Sequence, residues 1–312
     1  MKPTLTPPLP PAVDFAADPD PHAGLRLGLL AMMAVWGGNV SVVKFLLGQM
    51  DAMALSVARM VSAALLLLVV LRWRSPALPH LAPRTWAALV GCGLLMVYAN
   101  QLAFTYGVQH TTAANAALII ALNPLVSSLG AALVFGDRLT LRRLAGVVLG
   151  FGGVAAVVLH RPGVSLGGAG LGDALVFGSV LTWVGGGMIV QRLARRFDTG
   201  FISTFVTSVG ALALVLHVSL DPGTRWPDAA RLPGWVWPLV AASGIAATAL
   251  GSLVWNRAVQ VLGMARTSLF VYWVPIFGVA VAVTLLGEPL TVWHLVGLAA
   301  VLGGTWLGTR GH

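Results

Sequence analysis

From residue 25 onward the chain alternates long apolar runs with short polar connections. Each run is about 20 residues long, the length at which an α-helix crosses roughly 30 Å of hydrocarbon. The runs are continuous and do not alternate apolar with polar residues, which excludes a membrane β-barrel. The pattern predicts an all-α integral membrane protein with ten transmembrane helices at residues 25–47, 54–72, 85–107, 112–135, 141–159, 170–191, 200–219, 234–256, 266–286 and 291–308.

Composition agrees with this interpretation. Hydrophobic residues make up 57% of the chain and charged residues 9%, whereas soluble domains average about a quarter charged residues. The net charge of +9 does not indicate nucleic acid as a partner, because the basic residues lie scattered between apolar runs instead of forming one basic face. The single cysteine, Cys92, excludes a disulfide and a cysteine-based metal site, and we expect no cofactor and no metal.

The distribution of Lys and Arg predicts the orientation. Most of them lie in connections on the side of the N-terminus, which by the positive-inside rule is the cytoplasmic side. An even number of helices then places both termini in the cytoplasm, and we expect a multi-pass protein of a bacterial inner membrane. Residues 1–24 are rich in proline and lack the pattern of a signal peptide, so they are predicted to form a disordered cytoplasmic tail.

The chain repeats itself internally. A shift of 151 residues places Pro124 on Pro275 and Gly152-Gly153 on Gly303-Gly304, and a shift of 147 places Trp36 on Trp183. We interpret this as two five-helix repeats, residues 25–160 and 161–312. Because each repeat has an odd number of helices, the second enters the membrane from the opposite side. Inverted repeats are typical of transporters, whose substrate site lies near the midplane at the repeat interface.

Several segments carry a family resemblance: "WGGNVSVVK" in the first predicted helix, "ALSVARMVSAALLL" in the second, and the paired "NPLVSSLGAALVFGDRLT" and "VPIFGVAVAVTLLGEPLT". With them the chain resembles the drug/metabolite transporter superfamily, in its ten-helix branch of paired EamA-type domains. Within that branch it is most similar to bacterial exporters of amino acids, including aromatic ones. The resemblance implies a transporter and not an enzyme.

Polar and aromatic residues inside the predicted helices mark the candidate cavity, because polar groups are costly in hydrocarbon. Amides, hydroxyls and indoles together suit a small amphipathic solute. Tyr98, Gln101 and Thr105 are spaced as one face of a helix. The candidate substrate-binding residues are Trp36, Asn39, Tyr98, Gln101, Thr105, Trp183, Ser252, Trp255, Asn256 and Tyr272.

Other candidates concern charge and helix geometry. Lys44 and Arg59 are candidate counter-charges for a substrate carboxylate, although either could instead extend its charge to the membrane surface. Candidate hinge or kink positions are Gly37, Gly38, Gly185, Gly186, Pro124 and Pro275. Gly146/Gly150 and Gly304/Gly308 form GxxxG pairs, for which packing inside a monomer is favoured over a homodimer face.

No Asp or Glu lies in the middle of a predicted helix. This disfavours cationic drugs as substrates and favours facilitative or exchange transport over proton coupling. Three alternatives stay open. An apolar cavity would suit a lipid translocator, and a polar cavity would suit a sugar or nucleotide carrier. An intramembrane enzyme is disfavoured, because the sequence has no nucleophile-and-base pair, no paired carboxylates and no metal motif.

Overall fold

The computed structural model of the chain describes residues 22–74, 81–111, 116, 119–160, 170–221, 223–224, 226, 232–286 and 291–309. All the regular secondary structure among the described residues is helical, with no strands among them. The first half contains α1 (Ala23–Leu47), α2 (Ala52–Arg74), α3 (Pro83–Gly93), the π-helix π1 (Leu94–Ala99), α4 (Asn100–Gln109), α5 (Asn123–Phe135) and α6 (Leu141–Leu159).

The second half begins at α7 (Leu171–Leu193), and two of its segments form irregular helix. The π-helix π2 interrupts a long helix, and a 3-10 segment joins two others. The elements after α7 are α8 (Thr199–Leu220), α9 (Val236–Ser243), π2 (Gly244–Leu250), α10 (Gly251–Leu262), α11 (Met264–Thr267), the 3-10 segment Ser268–Tyr272, α12 (Trp273–Leu286) and α13 (Val292–Thr309).

Within the described part, five helical segments are long and apolar enough to cross a membrane. They are Ala52–Arg74, Pro83–Gly107, Leu171–Leu193, Thr199–Leu220 and Val236–Leu262. The prediction of an all-helical membrane protein agrees with these segments, whereas the count of ten spans stays a prediction. The predicted tail lies almost entirely outside the described residues.

Helix starts follow from local chemistry. The carboxylate of Asp51 accepts a hydrogen bond from the Met53 backbone N–H at 2.8 Å at the start of α2. Asp198 caps α8 in the same way, accepting from the Phe201 N–H at 3.0 Å. Each carboxylate satisfies a backbone donor that has no partner within its helix. The shift of 147 residues relates these two caps, so the corresponding helices of the two halves begin with the same device.

Glycines allow α6 and α13 to pack backbone against backbone. A Cβ at Gly146 would lie 2.7 Å from the Gly304 carbonyl oxygen, and a Cβ at Gly153 would lie 2.8 Å from the Gly297 carbonyl oxygen. Such distances leave no room for a side chain, as in other small-residue helix contacts in membranes. The face formed by the two GxxxG pairs is therefore used inside the monomer, as the sequence favoured.

Candidate functional site

A cavity of about 430 Å³ lies between the helices of the two halves. In the first half, α1, α2, π1, α4 and α5 contribute residues to its wall. In the second half, the wall receives residues from α7, α8, π2, α10, the 3-10 segment and α12. The volume lies within the range of small-molecule sites. Seven of the predicted binding residues line it: Trp36, Asn39, Gln101, Trp183, Ser252, Trp255 and Asn256.

Three tryptophans meet at this cavity. The ring centroids of Trp36 and Trp183 are 6.2 Å apart and nearly perpendicular, and each lies 5.6 Å from the ring of Trp255. These are the separations at which edge-to-face and tilted aromatic pairs attract. The three rings, contributed by α1, α7 and α10, form one aromatic cluster. We call Trp36, Trp183 and Trp255 the tryptophan cluster.

Hydrogen bonds fix the polar groups beside this cluster. The Trp36 indole N–H donates to the Ala247 carbonyl at 2.7 Å, and the Asn39 amide oxygen accepts from the Ser243 hydroxyl at 2.6 Å. Since both bonds join α1 to the second half, they orient lining side chains and hold the two halves together. Two more amides are fixed by the bonds from Asn100 to the Ser179 carbonyl at 2.8 Å and from Asn256 to the Ser203 hydroxyl at 2.8 Å.

The two π-helices lie at equivalent places in the repeat. Leu94–Ala99 corresponds to residues 245–250 under the shift of 151, and π2 covers Gly244–Leu250. Both supply lining residues, Met96 and Val97 from π1 and Ala247 and Thr248 from π2. A π-helical turn breaks the regular i to i−4 bonding and is frequent at functional sites. The irregular backbone here forms part of the cavity wall, where membrane proteins tolerate it.

Arg59 is the one charged side chain among the described residues that line the cavity. It belongs to α2, and its Nε atom is buried without a hydrogen-bond partner. The other candidate counter-charge, Lys44, is in α1, but its side chain lies outside the described part.

The structure separates three predicted residues from this cavity. Tyr98 lines a different groove of about 470 Å³ with Leu216 and Leu220, where its hydroxyl lies 3.1 Å from Nδ1 of His217. Tyr272 is buried between helices, and its hydroxyl donates to the Val147 carbonyl at 3.0 Å. Thr105 is absent from the described wall of either space.

At the rim of the Tyr98 groove, Asp221 follows the last residue of α8. The backbone N–H of Gly223 and the hydroxyl of Thr224 donate to its carboxylate, and with the nearby His217 they lower the pKa of Asp221. This carboxylate therefore stays ionised around neutral pH, and it lies just beyond the membrane-spanning segment Thr199–Leu220.

The position of Tyr272 leads to a prediction about stability. Replacing Tyr272 by phenylalanine should remove the bond to Val147 and lower the free energy of unfolding by about 1 kcal/mol. Thermal unfolding of the purified protein measures this loss. Tyr106→Phe is the control, since Tyr106 is exposed on α4 and its replacement should leave the midpoint unchanged. Equal midpoints for the two variants would contradict the buried bond.

The candidate hinge residues have distinct surroundings. Gly37 lies against the backbone of α12, since a Cβ there would be 2.6 Å from the Val274 carbonyl oxygen. A Cβ at Gly186 would lie against Met96 of π1, and a Cβ at Gly185 would lie 3.1 Å from the side chain of Leu95. Gly38 has more space, with its nearest neighbour at 3.9 Å. The tightest of these glycines allow close helix packing at the cavity.

The two candidate prolines occur near helix starts. Pro124 is the second residue of α5 and Pro275 the third residue of α12, which follows the 3-10 segment. In a first turn, the missing N–H of proline breaks no intrahelical bond. These prolines therefore mark where a helix begins after irregular backbone, and they do not bend the middle of a helix.

Sequence reasoning missed several lining residues. Asn100 and Ser179 form a bonded pair across α4 and α7, Thr207 comes from α8, and Met60, Met96 and Phe104 provide apolar surface. Asn100 directly precedes Gln101, so a neighbouring amide was the available signal. Nothing in the sequence distinguishes the lining methionines from core methionines. In the described part, no group of three or more His, Cys, Asp or Glu side chains is placed to hold a metal.

A helical membrane protein with an aromatic and polar cavity between two halves has the form of a small-solute carrier, and comparison with known proteins defines the class. The EamA-like transporter family matches the chain twice, over residues 23–159 and 170–310. The chain belongs to this family and is a membrane transporter.

Individual relatives agree with this assignment. The chain is 24% identical over 288 residues to the uncharacterized transporter YyaM of Bacillus subtilis, covering 91% of this chain and 92% of that protein. It is 23% identical to the uncharacterized inner membrane transporter YedA of Escherichia coli K12, covering 91% and 90%. An uncharacterized Pseudomonas aeruginosa protein is 32% identical, covering 90% and 92%. A solved crystal structure, 18% identical, has the same fold, with a TM-score of 0.77 over 93% of this chain and 99% of that one.

Proposed function

We propose that this transporter moves small amphipathic metabolites out of the cell through the described cavity, and that amino acids, including aromatic ones, are its first candidate substrates. The observation that carries the proposal is the tryptophan cluster, with amide and hydroxyl groups beside it in one cavity of about 430 Å³. The indole faces suit a ring or an aliphatic side chain of the substrate. The amides of Asn39, Gln101 and Asn256 suit hydrogen bonds with the polar groups of the substrate.

Alternating access between two inverted repeats is the proposed mechanism. Repeat-related features support it: the caps Asp51 and Asp198, the two π-helices, and the contact of Trp36 with Trp183. Two halves of similar structure and opposite orientation would have two shapes of similar energy, each opening the cavity to one side. The proposed boundary between the repeats lies at residues 160–161, and the distribution of Lys and Arg supports the proposal that both termini lie in the cytoplasm.

We propose facilitative or exchange transport. No carboxylate belongs to the described wall of the cavity, so a proton would have no acidic carrier there. If an imposed pH gradient alone drove substrate accumulation, this part of the proposal would be wrong.

Counterflow in proteoliposomes tests the substrate. Vesicles loaded with an unlabelled amino acid, without any ion gradient, should take up the same labelled amino acid, and Gln101→Ala should lower the uptake at least fivefold. Gln109→Ala is the matched control, because Gln109 is exposed at the end of α4. Normal uptake by Gln101→Ala would contradict a role for this cavity. No uptake across the whole amino-acid panel would exclude amino acids and leave lipids, sugars and nucleotides as the substrates to test.

A further inference from the structure

The two halves of the cavity differ in charge at one related position. The shift of 147 residues that relates Trp36 to Trp183 also relates Arg59 to Val206, and both residues line the cavity. The surrounding packing is related as well: Gly244 lies against Arg59 and Ser62, and Gly93 lies against Val206 and Val209. The repeat therefore holds equivalent backbones in equivalent contacts, but only the first half places a cation at the wall.

Three lining residues have buried polar atoms without partners. These atoms are Nε of Arg59, the indole Nε1 of Trp255 and the amide oxygen of Asn256. Buried polar groups are almost always hydrogen-bonded, so each unpaired one requires an explanation. Two of these atoms are donors, and one belongs to a permanent cation. The described wall of the cavity carries one permanent cation, Arg59, and no carboxylate, so it is complementary to an anion that accepts hydrogen bonds.

We propose that Arg59 binds the carboxylate of the substrate, and that the substrate class is a small monocarboxylate with an aromatic or apolar group, whose amino group is not required for binding. This inference rests on the proposed function and narrows it. A carboxylate forms short, charge-assisted bonds with guanidinium. The apolar end of the substrate then occupies the tryptophan cluster, which supplies most of the aromatic surface of the wall.

The amino group has no charged counterpart in the same wall. An ammonium would meet indole faces and the oxygen of Asn256, and no carboxylate belongs to the described lining. An amine without a carboxylate would also be repelled by Arg59 in a medium of low dielectric constant. Loss of the carboxylate should therefore harm binding much more than loss of the amino group.

Three compounds that differ by one charged group test this. Phenylalanine carries both groups, 3-phenylpropionate lacks the amine, and 2-phenylethylamine lacks the carboxylate. Isothermal titration calorimetry on the full chain in lipid nanodiscs should give similar affinities for the first two and at least tenfold weaker binding of the amine. Equal or tighter binding of the amine overturns the inference, and so does an absence of binding by all three.

Variants at position 59 separate binding from structure. Arg59→Gln should weaken 3-phenylpropionate binding at least tenfold, Arg59→Lys should restore part of it, and Arg74→Gln at the exposed end of α2 should have no effect. The unliganded thermal midpoint of Arg59→Gln should not fall, because the Arg59 Nε bonds nothing in the protein. A lower midpoint with unchanged affinity would show that Arg59 is structural and overturn the inference.

The two proposals fail in different ways. If 3-phenylpropionate binds through Arg59 but no amino acid is exchanged in counterflow, amino-acid transport is wrong and the carboxylate site stands. If phenylalanine is exchanged but Arg59→Gln binds it as tightly as the parent, the carboxylate site is wrong and the transport proposal stands.

Discussion

Replacing Trp183 by alanine is expected to raise the concentration of aromatic substrate that half-saturates counterflow at least tenfold. Trp183 contacts both other rings of the tryptophan cluster, at 6.2 and 5.6 Å. Its loss removes a large apolar surface from the cavity wall, and each aromatic pair contributes about 0.5–1.5 kcal/mol beyond the area it buries. Small aliphatic substrates should be affected less, because they cover less of the indole surface.

Two further variants make this expectation specific. Trp183→Phe retains a smaller ring and should recover part of the affinity. Trp73→Ala changes a tryptophan that is 83% exposed near the end of α2, so it should leave transport unchanged. The Trp183→Ala protein could be monodisperse and have the same half-saturating substrate concentration as the parent protein. That result would show that the tryptophan cluster does not contact the substrate.

Regular helical periodicity explains which site residues could be predicted. Trp36, Trp183 and Trp255 lie in regular α-helix, and their type and depth were enough to identify them. Tyr98 lies in π1, where an extra residue per turn rotates the helical face. The spacing that would place it with Gln101 in a regular helix therefore fails, and Tyr98 faces the groove at His217.

The position of Tyr272 also could not be predicted from regular helical spacing. It ends a 3-10 segment, which has three residues per turn instead of 3.6. Its ring lies against Gly150 of α6, a contact made between residues far apart in the sequence. Positions that the sequence shift pairs, such as the caps Asp51 and Asp198, have similar local structure, but the shift carried no information on which polar side chains turn towards the cavity.

Glycine close contacts explain how helix packing supports the site, and Gly37 and Gly38 give the sharpest comparison. Alanine at Gly37 would place Cβ 2.6 Å from the Val274 carbonyl oxygen and 2.9 Å from the Gly278 nitrogen. Because both neighbours are backbone atoms of α12, the helices must move apart. We expect Gly37→Ala to lower the free energy of unfolding by about 1–3 kcal/mol, the usual range for overpacking.

Gly38→Ala should instead raise the free energy of unfolding. Its new methyl group would have only a side-chain atom of Val281 nearby, at 3.9 Å, and alanine is favoured over glycine inside a helix by up to about 1 kcal/mol. Thermal unfolding of the two variants in the same detergent measures the difference. Equal midpoints would show that α1 and α12 are not in contact at Gly37.

The same pair tests the link between packing and transport. Trp36 precedes Gly37 on α1 and bonds the Ala247 carbonyl, so displacement of α1 should also move its ring relative to Trp255. Gly37→Ala should therefore lower counterflow of aromatic substrates below that of Gly38→Ala, measured at a temperature where both variants are folded. Equal uptake by the two folded variants would show that the tryptophan cluster tolerates a shift of α1, and that Gly37 acts on stability alone.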